Sequence, residues 1–235
     1  MIKLIEKNNE KIVFETDMGT SLANAIRRSV NQISVLAIDE VDIYKNDSAL
    51  YDEIIAHRLG LVPLKNQKLK QGEAIEMKLK VKGGANGTEV LSGELGEDVV
   101  YGDMPITLLE KEQEIELVAK ARTGKGEDHA KHVPGLVFYK QMPIITIAKE
   151  GEKHKELAEN YTDVFEFNGK LKVKNAWKCD LDNEDMERYP GVSIKLSDNL
   201  VFYIESWGQM DAKEIFAESC KALKNSLNEL SKELK

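Results

Sequence analysis

Cysteine is scarce, with only Cys179 and Cys220 in 235 residues. The two stand in unlike surroundings and offer no disulfide framework, so the fold has to hold through its own core. Long apolar runs are missing as well. None approaches the ~18–20 residues that a membrane-spanning helix requires. The N-terminus alternates polar and apolar residues and has no apolar signal-peptide core, which leads us to expect a cytoplasmic protein. Basic excess is the third absence. The formal net charge is −8, whereas a protein gripping a duplex along its length needs a cationic surface to meet the phosphates. No direct sequence-specific DNA contact is therefore expected.

Catalytic patterns are incomplete where they occur at all. Gly124-Lys-Gly-Glu-Asp-His-Ala-Lys-His132 sets a lysine in a glycine-rich loop, but the spacing and the Ser/Thr of a phosphate-binding loop are lacking. His129 and His132 have no companion ligands at metal spacing and read as surface histidines. Aspartate and glutamate are plentiful, yet no pair can be assigned to a common cleft, so a free-standing acid–base enzyme is not favoured. The expectation is no catalytic, cofactor-binding or metal-binding residue.

What is present is a soluble globular chain. At 42% hydrophobic and 31% charged residues, it can fill one large or two modest cores. Ile2–Ile5 and Lys11–Glu15 read as a strand pair around Lys7-Asn8-Asn9-Glu10. A helix follows, with Thr20 or Ser21 as candidate cap. Leu22, Ile26, Ser29/Val30 and Ile33 recur on one face of it, and Arg27 and Arg28 lie off that face. Taken alone, the two arginines describe a solvated surface.

Val35–Tyr44 alternates as a strand whose step from Ile38 to Val41 suggests a bulge. Beyond a polar break at Asn46–Ser48, a short helix over Asp52–Leu59 stops near Gly60. From Glu73 to Ile147 the pattern is mainly β, clearest in Ile75–Val81 and Ile115–Ala119, with a further strand over Leu136–Tyr139. Leu200–Ser206 reads as another strand. The last helix starts after Asp211. Phe216, Cys220, Leu223, Leu227, Leu230 and Leu234 run along it at steps of four and three, a heptad seam. That seam can serve packing within the chain or against a partner.

Leu22-Ala-Asn-Ala-Ile-Arg-Arg28 and Asp52-Glu-Ile-Ile-Ala-His-Arg-Leu-Gly-Leu-Val-Pro-Leu64 together resemble the N-terminal region of the α-like subunits of cellular RNA polymerases, most nearly the larger α-like subunit of the archaeal enzymes. The segment before Leu200 adds to the resemblance. Cys179, Asp182, Asp185 and Tyr189, followed by Pro190, keep the C-x2-C-x2-C-x3-C-P spacing of a ferredoxin. Glu150, Lys153, Glu156 and Asn160 repeat it upstream. Seven of eight cysteines are thus replaced, and one thiolate cannot hold an iron–sulfur cluster.

The resemblance implies an α+β fold: a discontinuous dimerisation domain at 1–40 and 197–235, a β-rich insert at 41–149, and a cluster-less ferredoxin-like subdomain at 150–196. It implies heterodimerisation with the small α-like subunit L, docking of the large catalytic subunits and contact with other small polymerase subunits, without a membrane and without chemistry of its own. Leu22, Ile26, Phe216, Leu223, Leu227 and Leu230 would then bury apolar area in the domain and against L. Arg27 and Arg28 would face a large subunit, and His57 and Arg58 belong to the second motif. A ferredoxin-derived redox protein is the alternative, carried only by the frame around Cys179.

Overall fold

A computed structural model describes residues 2–70 and 72–234. In chain order the first elements are β1 (Ile2–Lys7), β2 (Lys11–Thr16), α1 (Thr20–Ser29), β3 (Ser34–Asn46) and α2 (Asp52–Gly60). Next come β4 (Ile75–Lys82), β5 (Thr88–Leu91), β6 (Pro105–Leu109), β7 (Glu114–Lys125) and β8 (Gly135–Ile147). The remainder is α3 (Lys155–Asn160), β9 (Phe165–Phe167), β10 (Leu171–Val173), α4 (Asn183–Met186), β11 (Val192–Ser206) and α5 (Ala212–Glu233). The mixture of helix and strand is the expected α+β class.

The chain forms two compact units. One comprises the described parts of Met1–Lys7, Val13–Ala23 and Phe138–Tyr203. Its four-stranded sheet has the order β1-β2-β11-β8. Phe14 and Phe202 stack at 5.4 Å between ring centroids, and Phe138 and Tyr203 stack at 4.4 Å. Leu157, Phe165, Leu171, Cys179, Met186 and Ile194 form the apolar core under α3, β9, β10 and α4. Two strands here outrun their sequence reading. β8 continues to Ile147 through Pro143, because it is the edge of the sheet, where a missing N–H removes no ladder bond. β11 begins at Val192, since Asp198 and Asn199 lie within the strand instead of interrupting it.

The other unit comprises the described parts of Asn8–Ile12, Asn24–Val137 and Ile204–Lys235. Its sheet has the order β3-β7-β4, antiparallel at both junctions. Met77 and Leu79 of β4 and Ile115, Leu117, Ala119 and Ala121 of β7 turn inward at alternate positions. Ile55 and Leu59 of α2 meet them, both fully buried. The register of β3 on β7 shifts between Ile38 and Glu40, where the bulge was expected, and again between Ile43 and Lys45. Single strands cross two of the expected domain boundaries: β3 passes residues 40 and 41, and β11 passes 196 and 197.

Candidate docking surface

α1 opens differently from its sequence reading. Thr20 is already helical, and the Ala23 N–H donates to the Gly19 carbonyl at 3.0 Å. Gly19 therefore occupies the cap position, and Thr20 and Ser21 belong to the first turn. Ala23, Ile26, Ser29 and Val30 are buried, while Leu22 is 50% exposed. Leu22 thus leaves the inner stripe that its spacing assigned to it, and Ala23 takes its place. A small residue lets the helix approach what lies beneath it.

Arg27 and Arg28 are both exposed, as expected. Their surroundings differ. Arg27 is folded back on its own helix, with Nε and Nη2 donating to Asn24 Oδ1 at 3.2 and 2.9 Å. Arg28 has no hydrogen-bond or ion-pair partner among the described residues. A guanidinium in that state keeps all five donors for an incoming carboxylate or carbonyl.

The turn before α2 is held by Asn46. Its Nδ2 donates to the Leu50 carbonyl at 2.8 Å and to Asp52 Oδ1 at 2.7 Å, and its Oδ1 accepts from the Ser48 N–H at 3.0 Å. On α2, His57 and Arg58 are exposed. Arg58 Nη1 donates to the Ile106 carbonyl at 2.8 Å, which pins that side chain to β6. Tyr51 and Ile54, 76% and 42% exposed, leave an apolar surface beside them that the motif reading passed over.

α5 packs on its own chain through its first turns. The residues it buries are Ala212, Ile215 and Ser219, with α5 packed on the 3-10 turn Val30–Gln32. Phe216, Cys220 and Leu223 are half-buried, and Leu227, Leu230 and Leu234 are 58%, 53% and 80% exposed. At 100° per residue, the heptad seam is centred roughly 65° from the buried stripe. Beside that stripe the first part of the seam is half-buried, and from Lys224 to Leu234 every residue is exposed, whatever its face. Burial raises the Cys220 thiol above its usual range, so it remains an unreactive small hydrophobe.

The ferredoxin-like positions have other work. Cys179 lies in the apolar core, its thiol raised by burial. Asp182 caps α4 by accepting from the Glu184 and Asp185 N–H groups at 2.8 and 3.1 Å, and Asp185 Oδ2 accepts from the Asp182 N–H at 3.0 Å. This reciprocal box does what such a pair does at any helix start. Tyr189 packs on the same core, with the His154 ring edge-on at 5.5 Å. Among the described residues no three His, Cys, Asp or Glu side chains are gathered for a metal ion.

The glycine-rich loop corrects the histidine reading. β7 runs through Gly124 to Lys125, and a 3-10 turn covers Ala130–His132. His129 is exposed, its Nδ1 accepting from the Lys131 N–H at 3.1 Å. His132 is buried. Its Nδ1 donates to the Val35 carbonyl at 2.8 Å, and burial lowers its pKa. Gly124, whose missing side chain makes room for the ring, reaches it only in the folded chain. Lys131 pairs with Asp39 at 2.8 Å and holds that carboxyl below its usual range, while Arg122 meets Glu40 through both Nη atoms at 2.9 and 3.3 Å.

The sequence pattern of the family described as the RNA polymerase Rpb3/Rpb11 dimerisation domain matches residues 13–227. DNA-directed RNA polymerase subunit Rpo3 of Pyrococcus horikoshii is 32% identical, with 99% of this chain and 97% of the relative covered. The subunit of the same name from Thermococcus kodakarensis is 33% identical over 98% and 97%. That from Methanocaldococcus jannaschii is 30% identical over 100% and 97%. No helix among the described residues is long and apolar enough to cross a membrane.

Proposed function

The chain belongs to the RNA polymerase Rpb3/Rpb11 dimerisation-domain family, and from that premise we propose that it is a non-catalytic assembly subunit of a cytoplasmic DNA-directed RNA polymerase. In this reading it pairs with the small α-like subunit L, and the pair docks the large catalytic subunits beside other small ones. The similarity to Rpo3 subunits along nearly the whole chain supports it. The observation that carries it is the outward heptad seam of α5. Leu227 and Leu230 stand more than half exposed on the last turns of α5, where no described residue is buried by this chain. A row of leucines in water is unfavourable and marks a surface awaiting a partner.

The site follows from the same geometry. Leu223, Leu227 and Leu230 bury area against L, with Phe216 and Ile26 linking that contact to the chain's own packing and Leu22 exposed at the start of α1. Arg28, with free donors, meets a large subunit; Arg27 belongs to the same motif, and His57 and Arg58 to the second. The domain organisation proposed with this function draws the dimerisation elements from 1–40 and 197–235, and the packing of α5 on Val30–Gln32 supports their meeting. The insert is 41–149, and 150–196 is a ferredoxin-like subdomain without cluster or cofactor. Iron analysis and melting with and without chelator test the last point; stoichiometric iron and a chelator-sensitive fold would refute it.

The decisive experiment for the function is size-exclusion chromatography with light scattering, on the chain alone and with a purified L-type subunit. A one-to-one complex is expected. A well-behaved monomer indifferent to the L-type subunit would overturn the assembly reading.

A further inference from the structure

Asparagine is followed by glycine at two places in the sequence, Asn86-Gly87 and Asn168-Gly169. Asparagine is chemically labile, and this pair is its most reactive setting. The glycine nitrogen can attack the asparagine side-chain carbonyl carbon, and glycine shields that nitrogen least because it has no β-carbon. Both asparagines are exposed in turns, and neither side-chain amide has a hydrogen-bond partner among the described residues. As sequence the two pairs are equivalent. The fold makes them different.

Asn86 sits in a clamped turn. The Gly87 N–H donates to the Gly84 carbonyl at 3.2 Å, and the Gly84 N–H donates to Thr88 Oγ1 at 2.9 Å. Just before it, the Gly83 N–H donates to the Gln113 carbonyl at 2.8 Å, and the Gly83 carbonyl accepts from the Glu112 N–H at 3.2 Å. A β-carbon on Gly83 would overlap the Glu110 carbonyl oxygen, so the backbone has no slack there. The Gly87 nitrogen has to give up its own hydrogen bond before it can attack Asn86. Asn168 lies instead in the open loop 168–170, which joins Phe167 of β9 to its ladder partner Leu171 of β10. The Asn168 N–H donates to the Lys170 carbonyl at 3.2 Å, but the Gly169 N–H has no partner among the described residues. Gly169 has φ +76°, and an added β-carbon would meet nothing within 4 Å. No bond has to break before its nitrogen turns to the side chain.

We infer that Asn168 is a self-modification site, converted through a five-membered succinimide to aspartate and isoaspartate in the folded chain, while the turn around Asn86 protects that residue. The Gly169 nitrogen gives its proton to hydroxide and bonds to Asn168 Cγ. The Cγ–Nδ2 bond breaks, and the side-chain nitrogen takes a proton from water and leaves as ammonia. Water then opens the ring. Cleavage at Cγ restores the ordinary main chain with aspartate at 168. Cleavage at the main-chain carbonyl gives isoaspartate, with the chain running through Cβ and Cγ. The reactants are this chain and water alone, and the products are ammonia and one new carboxylate. Each event adds one negative charge to a chain of net charge −8. The space around Gly169 accepts the extra methylene that isoaspartate places in the main chain.

The full chain is incubated for days at mildly alkaline pH in oxygen-labelled water, once folded and once in urea, and its proteolytic peptides are followed by mass spectrometry. The folded rate at each asparagine is divided by its own rate in urea, which removes any difference due to neighbouring residues. That ratio should be at least about fivefold higher for Asn168 than for Asn86, the factor that one retained hydrogen bond supplies. Labelled oxygen should enter both the aspartate and the isoaspartate product at 168. Asn168→Gln should abolish the change there, because the longer side chain has to close a larger ring. Equal ratios, a higher ratio at Asn86, or a new carboxylate at 168 without labelled oxygen would overturn the inference. So would a folded chain that stays intact at Asn168 while the urea sample reacts.

Discussion

The imidazole of His132 lies directly against the α-carbon of Gly124: a β-carbon there would stand 2.5 Å from Nε2 and 2.7 Å from Cδ2. The ring cannot swing away, because Nδ1 is bonded to the Val35 carbonyl and the residue is 5% exposed. Gly124→Ala is therefore expected to destabilise the fold by about 1–3 kcal/mol through overpacking. Urea denaturation checks it. An unchanged midpoint would mean that the ring moves freely, against the geometry.

Burial also sets how that histidine responds to acid. Its folded pKa lies below the ordinary 6.5. As pH falls past that value the unfolded chain takes up a proton and the folded chain does not, so stability declines until the folded pKa is reached. Above it both states are neutral and nothing changes. As pH falls through 6.5, the unmodified chain should lose more stability than His132→Gln. Asp39 works in another window: its lowered pKa stabilises above the usual 3.8 and is lost only on further acidification. Parallel pH profiles for the two proteins would sink this expectation.

Arg28→Ala should leave the isolated chain's stability within about 0.5 kcal/mol, as at other exposed sites. In the assembled polymerase the same change would strand a buried carboxylate or carbonyl, at about 2–5 kcal/mol. Melting of the free chain and yield of reconstituted complex separate the two. Arg27→Ala should have the smaller effect on assembly, since its guanidinium is bonded to Asn24 at 2.9 Å. If neither variant alters the yield, these arginines are solvated surface only.

On α5, neighbouring faces should answer differently. Ile215 is fully buried, and Ile215→Ala should destabilise the chain itself by about 2–5 kcal/mol. Leu227→Ser with Leu230→Ser should scarcely affect the free chain's melting but weaken binding of the L-type subunit by about 3–6 kcal/mol, two leucine burials. Calorimetric titration is the measurement. Equal loss of folding stability in both cases would show that the seam packs internally.

The sequence made α5 legible as a helix because its apolar residues keep one period, yet it did not say which stripe faces inward. Ala212, Ile215 and Ser219 won the interior as the face turned to Val30–Gln32, and a scale that weighs leucine above alanine and serine picks the other. Leu22 failed for the same reason beside Ala23. The bulge in β3 could be read from the broken alternation after Ile38. His132 could not, because its burial depends on a glycine eight positions earlier in sequence that only the returning chain brings under the ring. The two Asn-Gly pairs read alike, and only the hydrogen bonding of the folded turns separates them.

The outward leucines of α5 also bear on how many copies a cell can hold. Each chain made without its counterpart would expose Leu227, Leu230 and Leu234 along one ridge, and such ridges find one another. Synthesis of the two subunits must then be matched in amount, or the surplus removed. An excess of this chain would be a burden on protein quality control even though every copy is correctly folded.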